Sequence, residues 1–184
     1  MASFLRAGLE KILKNMPLDL MRTSNIDVFV TLYDVKAKKP RYIHINNLCK
    51  DDIITVLLAT SAIPFVYSSI EYNGVEYVDG GVIEFGNVPI EPLYEHKFRN
   101  IYILSLDYDF NVYAIKGPAL SGSINATNYY PGCNFMPIQP LTDLGGTLNF
   151  DQSAIRSRMI AGYSAANKIL SGEKVYHMKN KYST

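Results

Sequence analysis

A chain of 184 residues makes about one domain and can bury one real core. With 48% hydrophobic and 19% charged residues, its composition is that of a globular protein and excludes a disordered or low-complexity chain. Eighteen basic residues against seventeen acidic leave a formal net charge of +1, without the one-sided positive footprint that nucleic-acid binders carry; nucleic acid is not an expected partner. Phe4, Leu5, Leu9, Ile12, Leu13 and Met16 recur at helical spacing behind Ser3 as N-cap, and Pro17 ends that helix. Asp27 to Tyr33 and Arg41 to Ile45 are rich in β-branched and aromatic residues. The Lys38-Lys39-Pro40 turn between them predicts a hairpin. Asp51 and Asp52 open a helix where its dipole favours acids, and Ala62-Ile63-Pro64 closes it.

Phe65 to Tyr72 and Val75 to Val78 flank Asn73-Gly74, the strongest short hairpin turn because both positions tolerate positive φ. The second strand runs directly into Asp79-Gly80-Gly81. Ile101 to Leu106 is nearly all apolar, the pattern of a strand covered by helices on both faces. Asp107 to Cys133 reads as a loop punctuated by glycine and proline, either functional or hiding a short helix. Phe135 to Ile138 is one more candidate strand. Asp151 caps a last helix whose apolar stripe is Ile155, Met159, Tyr163, Ala166 and Leu170. No internal repeat or linker is visible, so residues 1–184 read as a single α/β domain.

Cys49 and Cys133 lack any spacing for zinc and are too few for a disulfide framework, so both are expected as free thiols. The most apolar run, Ile53 to Tyr67, is shorter than the roughly 18–20 residues of a spanning helix and is broken by Pro64. Arg6, Glu10, Lys11 and Lys14 interrupt the first apolar turns as no secretory signal core would. As written, the chain is expected in the cytoplasm.

Nucleophile motifs are missing. No G-x-S-x-G occurs; the nearest string, Gly162-Tyr163-Ser164-Ala165-Ala166, falls inside the last helix rather than at a strand-to-helix turn. No P-loop or G-x-G-x-x-G is present. His44, His96 and His177 lie far apart and are read as strand, turn and tail residues. Asp79 stands out, a carboxylate at the end of an apolar strand followed by two glycines. Ligands bind outside the carboxyl ends of strands in open α/β sheets, and glycines permit close approach. An Asp-Gly turn whose carboxylate bonds its own backbone fits the same pattern. A metal site joining Asp79 with Asp107 or Asp109 has no histidine spacing behind it.

Ala59-Thr60-Ser61-Ala62-Ile63-Pro64, then Tyr77-Val78-Asp79-Gly80-Gly81-Val82, then Asn87-Val88-Pro89-Ile90-Glu91-Pro92-Leu93 resembles the patatin-like phospholipase family in order and spacing. The preceding hairpin and Phe135 to Gly162 also resemble that family's C-terminal half. The resemblance implies a partial three-layer α/β/α sandwich with a β-hairpin before the Asp-Gly-Gly motif (Asp79, Gly80 and Gly81). It further implies a lipid acyl hydrolase of the serine–aspartate dyad type, with Asp79 as proton acceptor, and neither metal nor cofactor. The substrate class is a lipid or other acyl ester, met in transient contact at a membrane surface. The family's glycine-rich oxyanion loop and G-x-S-x-G elbow precede the Asp motif; neither occurs in the 78 residues before Asp79. The chain therefore reads as the half that keeps the base and lacks the nucleophile, inactive alone and able to pair with a complementary N-terminal fragment. The alternative is a non-catalytic lipid- or partner-binding remnant of the hydrolase fold. Glu84, Asn87 and Pro89 are read as shaping the loop beside Asp79 or as an ordinary turn. Tyr108, Tyr113, Tyr129 and Tyr130 are read as acyl-groove residues or as loop packing.

Overall fold

The computed structural model describes residues 2–82, 88–111, 129–145 and 151–172. Two helices begin the chain, α1 (Ala2–Lys14) and α2 (Leu18–Thr23), separated where Pro17 interrupts the first. Strands β1 (Phe29–Asp34) and β2 (Lys39–His44) follow as a hairpin. Its turn spans residues 35–38 and takes in only the first residue of the Lys38-Lys39-Pro40 string: Asp34 Oδ1 accepts the Ala37 amide at 2.7 Å, and Lys38 takes a positive φ of 52°. This local side-chain bond competes with strand continuation and fixes the reversal. Helix α3 (Lys50–Thr60) carries Asp51 and Asp52 in its first turn. Its N-cap is Cys49, whose sulfur accepts the Asp52 amide at 3.4 Å.

Strands β3 (Ile70–Tyr72) and β4 (Val75–Asp79) form the second hairpin. Asn73 at φ 51° and Gly74 at φ 73° supply its turn, the doubly positive geometry that the Asn-Gly pair predicts. The strand expected from Phe65 is shorter, because Phe65 itself takes a positive φ of 69° and the chain becomes extended only at Ile70. A 3₁₀ turn, Gly80–Val82, follows β4, and α4 spans Glu91–Glu95. Then come β5 (Asn100–Leu104), β6 (Asn134–Ile138) and α5 (Gln152–Leu170).

These elements gather into two compact units, one ending at His96 and the other beginning at Lys97. The first holds a four-stranded antiparallel sheet in the order β2-β1-β4-β3. Its central pairing joins distant strands, with Leu32 opposite Asp79 and Asp34 opposite Tyr77. Leu32, Ile53, Ile54 and Val56 are fully buried where α3 lies against the sheet. Fully burying such a side chain is worth about 1.5–3 kcal/mol, so this seam is the main stabilising contact of the unit.

The second unit holds β5 and β6 in parallel register, Ile101 opposite Phe135 and Ile103 opposite Pro137. α5 packs against β6. Two expectations change here. The apolar run of β5 is buried on one face only: Ile101 and Ile103 point inward while Tyr102 and Leu104 are exposed. Strand side chains alternate faces, so a uniformly apolar run does not by itself report two-sided burial. In α5, most of the expected core stripe faces out, with Met159 71%, Tyr163 72% and Leu170 66% exposed; only Ala166 of that stripe is half-buried. Ala165 is buried instead, with Ala154 and Ala161 half-buried on the same face. Small side chains there allow the helix its close approach.

Candidate functional site

The second hairpin and the end of α3 together position Asp79. β4 is an interior strand, paired to β3 on one side and β1 on the other. At its last residue the Asp79 amide donates to the Ala62 carbonyl at 3.1 Å, so the strand tip is tied to the Ser61-Ala62-Ile63-Pro64 segment leaving α3. The half-buried Asp79 side chain bonds back onto the chain, with Oδ1 accepting the Gly81 amide at 2.8 Å. This is the turn-like contact that the Asp-Gly-Gly pattern allows, and it orients the carboxylate. A carboxylate has two acceptor oxygens, so the anchor is compatible with proton acceptance.

Gly80 is needed for a steric reason. A Cβ there would lie 2.6 Å from the Thr31 carbonyl oxygen and 2.7 Å from Thr31 Cγ2, well inside any van der Waals contact. The same Thr31 oxygen accepts the Thr60 hydroxyl at 2.8 Å, so β1, the end of α3 and the Asp79-Gly80 junction form one clamp. A cavity of about 320 Å³ lies alongside, lined by Leu58, Ser61, Ala62, Val66 and Tyr67 among others. Ala62 both walls that cavity and holds the Asp79 amide; Asp79 is not itself in the lining.

The remaining sequence candidates are less concentrated. Glu84, Asn87, Tyr113 and His177 lie outside the described residues, and Pro89 is half-buried just before α4. Tyr129 and Tyr130 meet edge to face at 5.1 Å, and Tyr130 is buried, which fits loop packing. Asp107 Oδ1 accepts the Asp109 amide at 3.0 Å in a local turn, and Asp109 beside Tyr108 raises that phenol's pKa through a hydrogen bond. Among the described residues no three His, Cys, Asp or Glu side chains are grouped to hold a metal ion. Gly162 to Ala166 lie within α5. Cys49 and Cys133 are free thiols, and burial pushes the Cys133 thiol up.

One cluster was not legible from spacing. His44 Nε2 lies 2.9 Å from Asp27 Oδ1, without hydrogen-bond alignment. His96 Nδ1 lies 4.0 Å from Asp27 Oδ2. Phe29 stacks on His44 at 4.9 Å and meets His96 edge-on at 5.3 Å. Two imidazoles thus share one carboxylate and one ring, brought from positions 27, 44 and 96 by the hairpin and the end of α4. Only the aromatic pair Phe29 and His44, opposite each other in the register, could have been found from the hairpin alone.

No helix among the described residues is long and apolar enough to cross a membrane. No curated protein matches the chain. The patatin-like phospholipase family profile matches residues 2–94, half of the chain; the segment from Phe135 to Gly162 lies beyond that match. The matched segment contains both hairpins, α3 and the Asp79-Gly80-Gly81 junction, and on this match the chain belongs to the patatin-like phospholipase family.

Proposed function

We propose that this chain supplies the general-base half of a serine–aspartate lipid acyl hydrolase, with Asp79 as proton acceptor, and that it does not turn over substrate alone. The observation that carries this reading is the clamp at residue 79. A carboxylate stands at an interior strand tip, its amide tied to Ala62 and its following glycine fitted against Thr31. In the reaction a serine Oγ would bond to the acyl carbonyl carbon as its proton passes to Asp79. The proton would then go to the leaving alcohol, and water would release the acid by the same relay. An ordinary carboxylate, with pKa about 3.9, is a feeble base at neutral pH. It serves only when hydrogen-bonded to the hydroxyl at about 2.6–3.2 Å with the oxyanion stabilised separately. A fixed carboxylate is therefore worth more than a mobile one.

The 184 residues contain no G-x-S-x-G string, and without an activated nucleophile the covalent route is closed. That same fact supports the second reading, a non-catalytic lipid- or partner-binding member of the fold.

The two separate in one experiment. The chain is treated with a fluorophosphonate probe and assayed on short acyl esters, alone and mixed with a fragment carrying a glycine-rich loop and a G-x-S-x-G serine. Expected are no labelling and no turnover alone. The mixture should gain turnover that Asp79→Asn lowers about 10²- to 10⁴-fold, the usual worth of a general base. Labelling of the chain alone, with activity lost in Asp79→Asn, would overturn the half-site reading. A mixture that forms but never turns over would favour the binding protein.

A further inference from the structure

A second cavity, of about 380 Å³, lies at the C-terminal ends of β5 and β6, against the α5 residues Arg158, Gly162 and Ala165. Open α/β sheets take their ligands at strand carboxyl ends, and the volume falls within the roughly 300–1,000 Å³ of small-molecule sites. Leu104 and Leu106, both in the lining, are 78% and 83% exposed. An apolar chain laid against them would take that surface out of water.

Arg158 decides what such a chain must carry at its end. It is the only charged side chain among the described lining residues, and it is half-buried. Its Nε donates to the Leu144 carbonyl at 3.0 Å, a bond to a neutral group that orients the guanidinium plane and leaves its charge unchanged. Asp143, beside Leu144, is exposed and outside the lining; its Oδ1 accepts the Gly145 amide at 2.8 Å. The other polar lining residues are committed to backbone. Ser105 Oγ accepts the Asp107 amide at 3.0 Å, and Gln139 Nε2 donates to the Tyr108 carbonyl at 2.7 Å. Apolar walls around one cation complement an amphiphile with one anionic head, and the planar guanidinium fork matches a carboxylate. A phosphate monoester would bring nearly two charges against that one.

We propose that this cavity binds a medium-chain fatty carboxylate, its head on Arg158 and its tail against Leu104, Leu106 and Ile138. The site lies in the second unit, outside residues 2–94, and its occupancy does not depend on the role of Asp79.

The test titrates the full chain at neutral pH with octanoate, octan-1-ol and octylamine, by calorimetry or amide chemical shifts. Octanoate should bind saturably, about tenfold more tightly than octan-1-ol, the worth of one charged hydrogen bond partly open to solvent. Octylamine should bind weakest. Arg158→Gln should erase the preference for octanoate over octan-1-ol. Leu104→Glu, at a position open enough for circular dichroism to show an intact fold, should weaken octanoate by placing a like charge in the lining. The absence of saturable octanoate binding, or binding that Leu104→Glu leaves unchanged, would overturn the site. Equal or tighter binding of octan-1-ol or octylamine, or a preference that survives Arg158→Gln, would overturn the carboxylate head.

Discussion

Gly80 is held to its identity by contact rather than by backbone conformation. Its missing side chain is what lets the strand tip lie against Thr31. Gly80→Ala should cost about 1–3 kcal/mol through overpacking, read as a lower urea midpoint with unchanged slope. Asp34 sets a different kind of limit. The Ala37 amide bond lowers its pKa most; burial works the other way, and Arg41 at 3.4 Å lowers it further. A carboxylate depressed on folding stabilises the native state above its unfolded pKa of about 3.9 and loses that contribution as pH falls through its lower folded value. Urea midpoints measured from pH 6 to 2.5 should therefore fall most steeply below about pH 4. Asp34→Asn, which no longer titrates, should flatten that acid limb; an unchanged limb would remove Asp34 as its source. Across the sheet, Tyr77 opposite Asp34 has its phenol pKa raised, first by burial and then by the Asp34 charge.

Among the elements, those written in local chemistry were the legible ones. Asn73-Gly74 announces its hairpin because few other residues occupy two consecutive positive-φ positions, and Pro17 announces the break between α1 and α2. Helix α5 shows where such reading fails. Helical spacing picks out the Ile155, Met159 and Tyr163 stripe, but periodicity only says that residues share a face. Which face packs depends on how closely the neighbour can approach, and Ala154, Ala161 and Ala165 allow the closer approach. Replacing Ile155, Met159 and Tyr163 together with glutamine should change stability by no more than about 0.5 kcal/mol per site; a thermal midpoint lowered well beyond that would show the stripe to be the packed face.

For the whole molecule, long-range pairing was the least legible feature. Nothing near Leu32 or Asp79 names the other as its partner; their register follows from burying Leu32 and Tyr77 on one face with α3. The same distance explains why Asp27, His44 and His96 escaped notice, although each is visible alone. Tyr102, Leu104, Leu106, Met159, Ile160 and Tyr163 all remain exposed, and exposed apolar surface on this scale favours association. Sedimentation should show concentration-dependent self-association at micromolar protein. The glutamine variant of α5 should weaken it, and a strictly monomeric wild type would refute the expectation.

The bond from the Asp79 amide to the Ala62 carbonyl offers a way to watch the carboxylate without any substrate. Amides held by interior pairings open only with the larger cooperative units of a protein. The exchange lifetime of that single proton in heavy water thus clocks how long the strand tip keeps its posture. A partner that seats itself beside residue 79 should slow the clock before any ester is cut.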